Sequence, residues 1–241
     1  NASGAILKQF TGVTTSVKWT PDSTEIAEMQ DLIPNSNTLR VYVDQYNNQV
    51  AQRSNTTVSL NLTEANPIFT DFTYRDSNAT VVAITGDDQV LVKGQSILET
   101  KIPSANKMVA IKGASPSQYS FVYDGVTLQF PYQSTGDVVG TFTQVDTIGQ
   151  RTLLATATDS RTNNTSVSKQ VVVYDYSAPT IESTLSRENN FGDDTTIHLN
   201  GRWNPLTIEG VDKNSLTAGS LKYRYREDAG GFGSWVAKSF T

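Results

Sequence analysis

Apolar and polar positions alternate with a period of two over much of the chain, which is the pattern of strands half-buried on one face. The clearest instance spans 151–174: alternation through 151–158, a polar turn at 159–164, then alternation again through 167–174 before Tyr176-Ser-Ala-Pro179. It predicts two strands joined by a hairpin and followed by a linker. Further strand candidates in the middle of the chain are 69–75, 80–85, 96–102, 108–113, 119–123, 126–131 and 138–145. Asp124-Gly125 is the strongest hairpin signal, because an Asp-Gly pair accepts the two positive φ angles of a tight turn. Residues 5–10 and 15–19 also read as strands. Leu39, Val41 and Val43 alternate into a turn at Tyr46-Asn-Asn-Gln, and Val58, Leu60 and Leu62 form the return. Near the C-terminal end, 197–201 and 221–227 read as strands, with Gly230-Gly-Phe-Gly-Ser-Trp235 turning into another. One segment breaks the period. Ile26, Met29, Leu32 and Ile33 share a helical face, starting at Asp22 or Ser23 and ended by Pro34-Asn.

A shift of 112 positions carries Leu39 onto Arg151, Asn47 onto Asp159, Pro67 onto Pro179 and Arg75 onto Arg187 without a gap. The pattern persists over about three dozen residues, the mark of a structural repeat. Proline cannot donate to a sheet ladder and holds its predecessor extended, so Asn66-Pro67 and Ala178-Pro179 are the expected inter-domain linkers. The expected domains are 1–66, 67–178 and 179–241. The middle one has about the length of an immunoglobulin-like sandwich. The outer two are shorter, and the expectation is that the chain is cut through both. The fold class expected is all-β: tandem immunoglobulin-like β-sandwich domains.

Composition narrows the function. Of 241 residues, 37% are hydrophobic and 18% charged, and the net charge of -5 comes without a basic block. Nucleic acid and anionic membrane surfaces are therefore not expected partners. Cysteine is absent, which removes disulfides, thiolate metal sites and cysteine nucleophiles. His198 is the only histidine and sits at a strand position, so no zinc site is expected. The pairs Asp87-Asp88 and Asp193-Asp194 are adjacent carboxylates in turns, where aspartate bonds its own backbone. They offer neither the separated pair of a glycosidase nor the ligand spacing of an EF-hand. The loop Ala229-Gly-Gly-Phe-Gly lacks the Lys-Ser/Thr of a phosphate loop. The Asn-X-Ser/Thr matches, such as Asn55-Thr-Thr and Asn163-Asn-Thr, read as compositional accident. No catalytic residue, metal or cofactor is expected, and the chain is read as not an enzyme. The aromatics Trp203, Tyr223, Tyr225 and Trp235, with Phe232, are the candidate ligand-facing residues; core packing is the plainer reading for the two tyrosines.

Several motifs recur together in one order: Trp19-Thr-Pro, Ile33-Pro-Asn-Ser, Tyr46-Asn-Asn, Gln89-Val-Leu-Val-Lys-Gly-Gln-Ser, Thr158-Asp-Ser-Arg, Tyr176-Ser-Ala-Pro, Lys213-Asn-Ser-Leu and Tyr223-Arg-Tyr-Arg-Glu. In that order they resemble a family of minor structural proteins of siphoviruses infecting streptococci and related Gram-positive hosts. The resemblance spans essentially the whole chain. It implies strings of immunoglobulin-like modules encoded among tail and host-adsorption genes, with no catalytic residues. In that family Asp-Ser-Arg is usually followed by Gly, where this chain has Thr162. The expected role is a virion tail spacer or a cell-wall-facing adhesive element. Its expected partners are other tail proteins and host cell-wall polysaccharide, and homo-oligomerisation is left open. Two alternatives stand beside it: a Gram-positive cell-surface adhesin and a carbohydrate-binding accessory module.

Overall fold

The structure, a computed structural model, describes residues 7–13, 15–47, 50–62, 65–187, 189, 195–215, 221–226 and 229–238. It is mainly β, with 46% strand and two α-helices among the described residues. In chain order the elements are α1 (Ser23–Asp31), β1 (Thr38–Asn47), β2 (Val50–Ser59), β3 (Thr73–Asp76), α2 (Ala79–Thr85), β4 (Val90–Val92), β5 (Leu98–Ile102), β6 (Pro116–Tyr123), β7 (Val126–Pro131), β8 (Val138–Phe142), β9 (Gly149–Asp159), β10 (Asn164–Tyr174), β11 (Thr180–Arg187), β12 (Thr195–Arg202), β13 (Thr207–Ile208), β14 (Val211–Asp212), β15 (Leu221–Tyr223) and β16 (Val236–Lys238). The largest sheet has the order β4-β10-β9-β6-β7, and a second has the order β3-β5-β8. By contacts the chain groups into two compact units: Asn1–Arg75, Glu99–Phe142 and Arg151–Val171 form one, and Asp76–Leu98, Thr143–Gln150 and Val172–Thr241 the other.

In the first unit α1 begins where the sequence places it. The Asp22 carboxylate accepts the Thr24 and Glu25 amides at 2.9 Å, and Glu25 reaches back to the Asp22 amide at 3.0 Å, closing a capping box. Glu25 also accepts the Trp19 indole N–H and pairs with Lys8 at 2.7 Å. Met29 and Ile33 are buried with Leu39, backed by Leu7, Trp19, Val41 and Leu60. Ile26 and Leu32, assigned from the sequence to the same face, stay exposed. Segments 7–10 and 15–19 form no strand. β1 and β2 pair antiparallel from Thr38↔Ser59 to Asn47↔Val50 as a long hairpin; at the 112-residue shift it overlaps β9 and β10, with β10 starting and ending two to three residues later.

The core of this unit is aromatic. Along β6, Tyr119, Phe121 and Tyr123 are buried, while Ser120 and Val122 between them are only partly so. Their rings meet Phe69, Phe72 and Phe142 at centroid distances of 6.0, 6.1 and 5.6 Å. Each such pair adds about 0.5–1.5 kcal/mol beyond the area it removes from water. Gly140 on β8 lets this layer close, because a Cβ there would stand 2.9 Å from the Phe121 ring. The β6–β7 hairpin turns at Asp124 (φ 46°) and Gly125 (φ 82°), the two left-handed positions that an Asp-Gly pair predicts. Segment 108–113, expected as a strand, supplies only the isolated bridge Ile68↔Val109.

In the second unit, 80–85 is a helix and not the expected strand. Thr80, Val81, Val82, Ile84 and Thr85 favour strands by β-branching. The ends outweigh that preference. Asn78 caps the Thr80 amide at 3.1 Å, and Gly86 (φ 79°) ends α2 in the left-handed conformation. One helical turn apart, Val81 and Thr85 are then both buried. Below α2, the buried Asp76 carboxylate accepts Ser96 Oγ at 2.5 Å, the Ile97 amide at 3.0 Å and the Asn78 amide at 2.9 Å. Strand β4, which is not among the strands expected from the sequence, runs parallel to β10. β11 and β12 form an antiparallel ribbon of two unlike faces: Ile181, Leu185, Ile197 and Leu199 on one, Thr180, Thr184, Ser186, His198 and Asn200 on the other.

Two outcomes are expected. Lys8 first, and then the Asp22 amide, hold the Glu25 carboxyl below the usual carboxylate range. The stability this lends α1 is full above the unfolded-state pKa and is lost as pH falls through the lowered folded value. The Trp19 indole N–H resonance should therefore shift with an acidic midpoint below the normal glutamate range, and Glu25→Gln should abolish that transition. At the β9–β10 turn, Thr162 sits at φ 68°, where a β-branched side chain is strained. Thr162→Gly should stabilise the chain by about 0.5–1 kcal/mol in chemical denaturation, the relief exceeding the added flexibility of glycine.

Candidate functional site

The Asp159-Ser-Arg-Thr-Asn163 turn begins as an ordinary hairpin device. The Asp159 amide donates to Asn163 O at 2.9 Å and the Thr162 amide to Asp159 O at 3.1 Å. The Asp159 carboxylate accepts the amides of Arg161 and Asn163 at 2.8 and 2.9 Å. This tight folding aims the Arg161 side chain away from β9 and β10 and into protein, leaving the residue 7% exposed. Its guanidinium donates to Gln30 O at 2.9 Å, to Ile33 O at 3.2 Å from both Nε and Nη2, and to Lys112 O at 2.6 Å. Gln30 lies in the last turn of α1 and Ile33 just beyond it, at the negative end of the helix dipole. A buried cation is thus held by backbone carbonyls, two of which, at the helix end, also accept the amides of Ile33 and Ser36.

The neighbours reinforce this socket. Ser160 Oγ donates to Pro34 O at 2.5 Å and accepts the Ser115 amide at 3.0 Å. Gly113 (φ 75°) lies against the same helix end, where a Cβ would stand 2.7 Å from Gln30 O. Segment 22–34 and the β strands are therefore joined by a polar, fully satisfied contact.

The C-terminal segment is joined by different chemistry. Leu206 and Ile208 are buried with Val81 of α2 and Val92 of β4, and Val90, Tyr174 and Tyr176 pack around them. The loop carrying them is cross-tied: Asn214 accepts the Leu206 amide, and the Lys213 amide donates to Leu206 O at 2.8 Å. The predicted linkers differ as well. Pro67 is buried and its carbonyl accepts Thr165 Oγ1 of β10 at 2.6 Å, while Asn66 is exposed. Ala178 and Pro179 are exposed between β10 and β11. Sequence reasoning placed Arg161 in a turn and missed its reach. Leu206 and Ile208 were not singled out either, since neither lies in a long alternating run.

The predicted aromatics differ in exposure. Trp203 is half-buried just past β12. Tyr223 on β15, Tyr225 and Trp235 are 37%, 73% and 56% exposed. Arg224 lies over the Phe232 and Trp235 rings at 4.2 and 4.4 Å, and Arg226 over Phe232 at 4.9 Å. His198 Nε2 meets Ser186 Oγ at 3.3 Å on the polar face of an exposed ribbon. Asp87 accepts the Gln89 amide and Asp88 the Gln89 side chain, so both carboxylates hold their own turn. Asp193-Asp194 lies outside the described residues. Among the described residues no three His, Cys, Asp or Glu converge as metal ligands.

The geometry is that of joints between β segments, and the sequence as a whole matches one family. Residues 1–227 fit the model of the family described as siphovirus protein of unknown function (DUF859). The chain belongs to that family. It matches no curated protein. The Arg161 socket, the Thr158-Asp-Ser-Arg motif, Arg224 and Arg226 fall within the matched residues, and Phe232 and Trp235 lie beyond them.

Arg161→Ala should remove the donors that tie Gln30 O, Ile33 O and Lys112 O together and destabilise the chain by about 3 kcal/mol, with Arg161→Lys recovering part of the loss. Amide exchange over 23–33 should accelerate more than over β6, so uniform protection loss would contradict a local joint. Gly113→Ala should act in the same direction, through the clash and the positive φ together.

Proposed function

We propose that this siphovirus chain is a non-enzymatic structural element of the tail or host-adsorption device, built of tandem immunoglobulin-like modules that serve as a stiff spacer. The middle module supports the comparison by its strand order. A five-stranded sheet, which includes the long β9–β10 hairpin and a parallel edge strand β4, is accompanied by a three-stranded one, an order comparable with that of an immunoglobulin-like sandwich. The observation that carries the spacer role is the joint chemistry: Arg161 ties the preceding segment and Leu206 the following one through buried contacts. Inter-domain motion is the default wherever such contacts are missing.

In this reading the chain's partners are other tail proteins, copies of itself, and cell-wall polysaccharide where a module faces the host. A bacterial surface adhesin would use the same modules; membership of a siphovirus family weighs against it. Immunogold labelling of intact virions should place the protein on the tail, and labelling confined to the wall of uninfected cells would overturn the reading. Stiffness is tested separately. Pro179→Gly alone should leave small-angle scattering nearly unchanged because the Leu206 contact persists, whereas Pro179→Gly with Leu206→Ala should broaden the distance distribution. Broadening by Pro179→Gly alone would show that the proline, and not the apolar contact, sets the junction.

A further inference from the structure

We propose that the β15–β16 hairpin carries a binding site for a phosphate-bearing glycan, formed by Arg224, Arg226, Phe232 and Trp235. The proposal goes beyond the spacer role and does not depend on it. Arg224 is stacked on two rings at once, 4.2 Å from Phe232 and 4.4 Å from Trp235, and Arg226 adds a second guanidinium 4.9 Å from Phe232. A guanidinium held over a ring face still has its N–H edge, which is the group that receives phosphate through two parallel hydrogen bonds. Neither arginine pairs with a carboxylate among the described residues; Glu227 and Asp228 lie outside them. Even counting those two acids, residues 221–238 hold four cations (Lys222, Arg224, Arg226, Lys238) against two anions, in a chain of net charge -5.

The rings are exposed although they are paired. Phe232 is 53% and Trp235 56% exposed, and the Gly233 amide bonds Tyr225 O at 2.9 Å to hold the loop that presents them. An exposed indole offers an apolar plate to the C–H face of a sugar ring, and the adjacent guanidinium offers the charge partner for a phosphate on that sugar. A neutral glycan would use only the plate. A single-stranded nucleic acid would need a run of stacking positions along an extended basic groove, whereas here the guanidinium–ring contacts gather at Phe232 and Trp235.

The test measures binding of the full chain to a synthetic phosphodiester-linked N-acetylglucosamine oligomer by calorimetry. Comparison probes are the phosphate-free oligomer and an oligothymidylate of equal charge. The phosphorylated glycan should bind best and weaken with added salt. Trp235→Ala should reduce affinity about tenfold and Arg224→Lys about fivefold, the latter keeping charge and stack while losing the planar fork. Trp203→Phe should bind as the parent does. Circular dichroism of Arg224→Lys unchanged from the parent separates lost contact from lost fold. No binding at about 5 mM oligomer, equal binding of the phosphate-free oligomer, or equal binding of oligothymidylate would each overturn the proposal.

Discussion

A guanidinium out of water must have its donors satisfied, and in this chain Arg161 meets that demand with the carbonyls of Gln30, Ile33 and Lys112. Burying an unpaired charge is costly by several kcal/mol, so the arginine cannot retreat inward, and the helix end cannot leave without stranding it. The turn that presents Arg161 is in turn fixed by Asp159, whose carboxylate is spent on two amides of its own loop. One hairpin turn thereby fixes how segment 22–34 meets the strands.

The two joints rest on different physics. The contact around Arg161 is directional: its hydrogen bonds fail if the helix end rotates. The contact around Leu206 and Ile208 is apolar and buries area against Val81 and Val92, with no demand on angle. It relies on α2, a helix of seven residues that its caps at Asn78 and Gly86 hold open to packing. The first joint sets orientation and the second supplies adhesion.

The β elements were largely legible because a half-buried strand writes its burial into alternation, as along 119–123 and 152–158. The Asp124-Gly125 turn and the start of α1 were legible for a similar reason, since both depend on local backbone chemistry. α2 was misread because β-branched residues speak for strands, whereas the deciding signals are one Asn before it and one Gly after. The site was hidden for a further reason. Gln30 and Lys112 lie far from Arg161 in sequence and contribute only main-chain oxygen, which no side-chain pattern reveals. For the aromatics, composition identified Tyr223, Tyr225 and Trp235, yet Arg224 lies between rings that sequence alone could not bring together.

Every residue carries a carbonyl. Because Arg161 binds oxygens that belong to the backbone, positions 30, 33 and 112 can change identity while the socket keeps all its acceptors. The side-chain chemistry of the socket rests on Arg161, on Asp159 and Ser160 of its turn, and on the close-fitting Gly113. The exposed side chains of the helix end and loop can thus vary while the Arg161 guanidinium keeps segment 22–34 aligned on the strands.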